Sequence, residues 1–215
     1  MPRTNKIVMM MLAISTMMLA DEHESVAENT NTSSNKKPMI KTPLTRTELV
    51  AALRDGHVAK FGVEPSENRL AMAWAQVAFE NGQGKHTYNH NLGNISPWKP
   101  DHARYLSPDK HYYRDFDTFV EGAEAYWHNI SKCTGAIAKF DTGTTADSAA
   151  SLKKCGYFEA DLNTYTNGLS SLFRYAIKNV LSEEKHEREE RNKEAIEATR
   201  NAAATLDAIL DTGSN

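Results

Sequence analysis

Leu70, Ala73, Trp74, Val77 and Ala78 recur at the spacing that places side chains on one face of an α-helix, in a run that opens at Pro65-Ser66 and stops at Gly82 and Gly84. So apolar a face must pack against other elements, and one carboxylate, Glu80, sits at its edge in the last turn. A carboxyl group half against apolar side chains loses hydration. That disfavours its charged form and raises its pKa toward the range useful for a general acid. The two glycines end the helix and leave room for a ligand to approach the backbone. A glutamate at a helix end more often simply points at water. The neighbours of Glu80 set it apart.

The rest of the core also reads as helical. Thr45 and Glu48 form a capping box ahead of Leu49, Leu53 and Phe61, and Thr118 and Glu121 form another ahead of Val120, Ala123, Trp127 and Ile130. Shorter helices are predicted around 136–140 and 146–154, and a longer one from about Asp161 past Ala176. The pattern changes between Trp98 and Phe116. There Arg104-Tyr105-Leu106, a Ser-Pro-Asp-Lys turn and His111-Tyr112-Tyr113-Arg114 read as a small hairpin. The fold class expected is mainly α with a small β-hairpin lobe, over residues 44–182.

The segment carrying Ala75, Gln76, Ala78, Glu80, Gly82, Gly84 and Lys85, followed by Asn91-Leu92-Gly93-Asn94-Ile95, resembles the glucosaminidase family of the lysozyme superfamily, which includes flagellar muramidase-like enzymes and bacterial autolysins. Two further segments are similar to that family and in its order: Phe116-Asp117-Thr118-Phe119 with Gly122, and Leu152, Gly156-Tyr157-Phe158, Asp161 and Tyr165. Asn81, and Gly93-Asn94, depart from the family's usual residues. The resemblance spans roughly residues 65–175. It implies a lysozyme-like helical domain whose β lobe forms one wall of a cleft, and an enzyme acting on peptidoglycan glycan strands at β-1,4 bonds, as an N-acetylglucosaminidase or a muramidase. It puts Glu80 in the catalytic-acid position and the 91–95 segment along the cleft.

Glycoside cleavage needs an acid at the leaving oxygen and then a second carboxylate, a substrate group or a water at the oxocarbenium-like centre. Asp101, Asp109 and Asp115 are the candidates for that carboxylate, with Asp115 favoured because it ends the second strand of the hairpin. Asn91, Asn94, Ile95, Tyr157 and Tyr165 are expected to bind substrate, Tyr165 by contacting the sugar or stabilising charge. A lytic transglycosylase, or a module that binds cell-wall glycan without cutting it, are the alternatives. A zinc hydrolase built on His86 and His90 with His102 or His111 is disfavoured, since no H-E-x-x-H or comparable spacing occurs. No cofactor or metal is expected.

Composition narrows the class. With 28 acidic and 25 basic residues, and a near-neutral folded part, nothing invites nucleic acid electrostatically. Arg3 and Lys6 precede an apolar run over residues 7–20, too short for an ordinary membrane span, which reads as an export signal or an uncleaved membrane anchor. The polar stretch 21–43 reads as an unstructured linker. Cys133 and Cys155 each follow a helical run. They fit a helix-to-helix disulfide in the periplasm or outside the cell, or else two buried thiols. Residues 183–215 form a charged helical tail in which Glu184 with Arg188, Glu187 with Arg191 and Glu189 with Lys193 stand four apart. Ile196, Ala203, Leu206 and Leu210 approximate a heptad seam, so weak self-association is one expectation. A solvated helix dispensable for cleavage is the other.

Overall fold

The computed structural model describes residues 36–99 and 102–212. The export segment and most of the linker therefore lie outside the described residues, as do Asp101 and the side chains beyond Thr205. Strand β1 (Lys36–Lys37) leads into helices α1 (Arg46–Phe61) and α2 (Glu67–Asn81), then strands β2 (Arg104–Leu106) and β3 (Tyr112–Arg114). Helices α3 (Phe119–Lys132), α4 (Ala136–Thr142), α5 (Thr145–Lys154) and α6 (Leu162–Tyr175) follow. A π-helical turn (Ala176–Val180) then joins α6 to α7 (Leu181–Thr212). The mainly α class with a small β lobe is the one expected.

Local sequence sets these boundaries. At α1 the Thr45 side chain accepts from the Glu48 backbone while the Glu48 carboxylate accepts from the Thr45 N–H, satisfying two orphan donors reciprocally. Ser66 and Thr118 cap α2 and α3 from one side only, their hydroxyls accepting from the N–H groups of Arg69 and Glu121. The Glu121 carboxylate, however, takes the N–H of Asp117 rather than that of Thr118. Gly82, left-handed at φ 64°, ends α2 immediately after Glu80 and Asn81.

Helix α2 is the centre of the molecule. One buried face was expected, but every residue from Leu70 to Ala78 is buried. Alanines at 71, 73, 75 and 78 let neighbouring helices come close on all sides. Two closures of this kind depend on glycine: a Cβ at Gly56 would overlap Ala123 and fix α1 farther from α3, and one at Gly168 would overlap the Phe79 ring between α6 and α2. Indoles anchor the same helices. Trp74 donates to the Arg46 carbonyl at 3.1 Å and Trp127 to the Leu53 carbonyl at 2.8 Å, so both fully buried rings keep their N–H satisfied.

Cys133 ends α3 and Cys155 ends α5, with 5.5 Å between their Cα atoms, and the two are joined in a disulfide. Closing the loop between them is worth about 3 kcal/mol on the chain-entropy account. Cys133→Ser with Cys155→Ser should lose about that much in denaturant unfolding, and the wild type should lose it on reduction; an unchanged midpoint in both would show that the bridge does not form in solution.

Two expectations require correction. Residues 36–43 are not free linker. Lys36–Lys37 pair in parallel with Arg104–Tyr105, and Asn89 accepts from the Ile40 N–H at 2.7 Å and donates to the Pro38 carbonyl at 2.9 Å. The partners are backbone groups, so a polar composition did not reveal them. The beginning of the tail is likewise part of the fold: Glu184 is fully buried and forms a fork-on-fork pair with Arg54 of α1, one arm at 2.7 Å, with the Arg188 guanidinium 3.8 Å away. Arg191 does pair with Glu187, at 3.6 Å, but Lys193 reaches Glu190 instead of Glu189. From Glu189 to Thr205 the helix is exposed throughout.

Candidate active site

Glu80 lies in the last turn of α2, where its carboxyl has no hydrogen-bond or ion-pair partner among the described residues. Burial pushes its pKa up to about 7. The position acts in the same direction, because the carbonyl end of a helix disfavours negative charge. Near neutral pH this group therefore holds a transferable proton.

Tyrosines surround it. Burial, and then the neighbouring acidic groups including Glu80, push the hydroxyls of Tyr126, Tyr157 and Tyr165 upward, so all three stay protonated. Tyr126 comes from α3 and donates to Gln76 Oε1 at 2.7 Å. Tyr165 comes from α6, with its ring stacked on Phe158 at 3.6 Å and edge-on to Phe79 at 5.2 Å. The close approach at Gly168, one turn along α6, is what lets that ring reach the end of α2. The buried Gln76 Nε2 and Tyr165 hydroxyl lie near each other without forming a well-aligned hydrogen bond.

Gln76 and Tyr126 were not among the expected site residues. The signal for Gln76 was present: a lone polar side chain in an apolar run, one turn before Glu80 and hence on its face. Tyr126 carried no such mark, since an aromatic at core spacing in α3 reads as packing.

The loop after α2 meets the site through Tyr126. A Cβ at Gly93 would lie 3.2 Å from that ring, so the loop passes it at van der Waals distance. Two of the expected substrate contacts turn out to build the loop instead. Asn91 is buried, its Nδ2 donating to the carbonyls of Ile95 and Arg114 at 2.9 and 3.0 Å and its Oδ1 accepting from the Ile95 N–H at 2.8 Å; no part of its amide is left for a sugar. Ile95 belongs to the hydrophobic core. Asn94 is half-buried with φ at 49°, a left-handed position that asparagine tolerates.

The acidic candidates sit apart from Glu80 in their contacts. Asp115 accepts from Asn89 Nδ2 at 2.5 Å and so holds the loop to the β lobe, and Asp109 accepts from Ser107 in the hairpin turn. The histidines serve packing and turn geometry: His86 covers Gly82, His90 bonds the Phe116 carbonyl at 2.8 Å, His102 lies edge-on to Trp98 at 4.8 Å and His111 is 3.9 Å from Asp109.

No family model and no curated protein matches the chain. Among solved structures, the chain is similar to a peptidoglycan hydrolase from Sphingomonas sp. A1, at 18% identity over 64% of this chain and 94% of that one, with a TM-score of 0.49. It is also similar to the glycoside hydrolase domain of Salmonella typhimurium FlgJ, at 18% identity over 71% of this chain and 99% of that one, with a TM-score of 0.48.

Proposed function

We propose that the chain is a glycosidase that cuts β-1,4 bonds in the glycan strands of peptidoglycan, with Glu80 as the acid that protonates the leaving oxygen. The observation that carries this reading is the unpaired carboxyl of Glu80, held protonated near neutral pH by burial at the end of α2. The sequence motifs around it supply the substrate class. As the glycosidic bond lengthens, the Glu80 proton moves to the departing oxygen and the charge left on the carboxylate faces the hydroxyls of Tyr126, Tyr157 and Tyr165. Tyr157 and Tyr165, kept protonated, can stabilise that charge by donating to it, whereas the one proton of Tyr126 is already given to Gln76. Burial alone accounts for the shift at Glu80, with no charged neighbour acting on it. The oxocarbenium-like centre falls to a carboxylate standing farther off, such as Asp115, to a neighbouring group of the substrate or to a water.

Mass spectrometry of fragments released from purified sacculi tests the proposal, because the terminal sugar identifies the bond and reducing or anhydro ends separate hydrolysis from transglycosylation. Release of no fragments by folded protein would end the glycosidase reading. The acid must be protonated to act. Activity measured as kcat/KM should therefore hold on the acid side of the Glu80 transition and fall as pH rises through about 7, where the group ionises. A profile that stays flat to about pH 9 would remove Glu80 from the acid role.

A further inference from the structure

A second surface gathers cations around an exposed ring. Trp98 is 42% exposed, whereas Trp74 and Trp127 are fully buried. The Arg114 guanidinium lies 4.4 Å and the Lys132 ammonium 5.4 Å from the Trp98 ring centroid. His128 stands 5.8 Å from the same ring, and its Nδ1 is 3.2 Å from Lys60 Nζ. Among the described residues no carboxylate comes within 4.0 Å of the Lys60, Arg114 or Lys132 charges. Burial, followed by Lys132 and Lys60, holds the His128 pKa below its ordinary value, as expected where positive charge is in excess. Arg114 has Glu121 and Glu124 as its more distant acidic neighbours.

The patch is not the Glu80 site. On α3, Tyr126 faces α2, while His128 and Lys132 lie about 200° and 240° farther round at about 100° per residue. His128 and Lys132 thus lie on the side of α3 away from Tyr126, and Lys60 reaches them from the last turn of α1 and Arg114 from β3.

We propose that this patch is a second carbohydrate-binding site, one that holds a saccharide bearing a carboxylate. The exposed indole gives the C–H face of a sugar ring an apolar platform, and Lys60, Arg114 and Lys132 give its carboxylate charge-assisted donors. A single-stranded nucleic acid fits less well. It stacks successive bases on several aromatics, and here one exposed tryptophan stands in a chain of net charge −3. The inference does not depend on Glu80.

Because Trp74 and Trp127 are buried, quenching of tryptophan fluorescence by an added sugar reports chiefly on Trp98. Tetragalacturonate titrated into the full chain should quench it, with an affinity that weakens as NaCl is raised, while neutral chitotetraose should not. Lys60→Glu with Lys132→Glu should weaken tetragalacturonate binding at least about tenfold, and Trp98→Ala should do so by calorimetry. Absence of binding, binding indifferent to salt and to both variants, or tighter binding of oligo-dT than of the acidic sugar would each overturn the proposal. Cleavage of sacculi by the wild type is read separately and decides only the glycosidase reading.

Discussion

Glu80→Gln protein is expected to release fragments from sacculi at least about 100-fold more slowly than the wild type, the lower end of what a general acid contributes. Glutamine keeps the shape and one donor but has no proton to transfer. The variant should still bind glycan. Its stability makes a useful control, because the sign is opposite to that of ordinary damage. Burial pushes the Glu80 carboxyl up to about 7 in the folded chain, against 4.5 for a solvated glutamate. Between those values the unfolded chain releases a proton that the folded chain keeps, so wild-type stability falls as pH rises through the window. A glutamine escapes that loss, and the variant should melt at or above the wild-type temperature at pH 8. An inactive variant with a lowered melting temperature would point to structural damage. Near wild-type cleavage would refute the assignment.

The second large effect concerns Glu184. Its carboxylate is fully buried against Arg54, which is itself largely covered. Removing one partner of a buried pair leaves an uncompensated charge and costs about 3–5 kcal/mol. Glu184→Ala should therefore lose that much in denaturant unfolding, and a chain ending at Leu181 should lose at least as much. A chain ending at Arg191 keeps the pair and should unfold like the full chain. The double variant Arg54→Leu with Glu184→Leu should recover much of the loss, since no charge is stranded. If Glu184→Ala unfolds at the wild-type midpoint, the pair with Arg54 contributes nothing to the stability of the domain.

The helical frame was legible where short-range chemistry writes it. Thr45 with Glu48, Ser66, and Gly82 after Glu80 are caps and stops whose effect is confined to a turn of chain, and each stands where it was read. The Cys133–Cys155 bridge was legible as one of two alternatives. What escaped depends on partners far along the chain. Asn91 reads as a polar loop residue, and only the fold shows its amide spent on Ile95 and Arg114. Glu184 reads as one charge among many in a solvated helix until Arg54, 130 residues away, meets it. The same holds at the site. Gln76 was visible as an anomaly in α2, whereas Tyr126 and Arg114 became interpretable only once neighbours from other elements surrounded them.

The π-helical turn between α6 and α7 sets a phase. A π turn accommodates one residue more than the α-helix around it, so everything after Val180 is rotated by about 100° relative to an uninterrupted continuation of α6. That rotation is what points Glu184 inward at Arg54. In terms of heredity, a codon lost within 176–180 would be read less as a shortened loop than as a twist. The helix would close up into regular α geometry, the Tyr165 end would be undisturbed, and the buried carboxylate would swing toward water. Insertions and deletions are usually tolerated in surface segments of a domain. Here a single-residue change in a well-formed helix would turn α7 away from α1 while leaving α6 and Tyr165 in place.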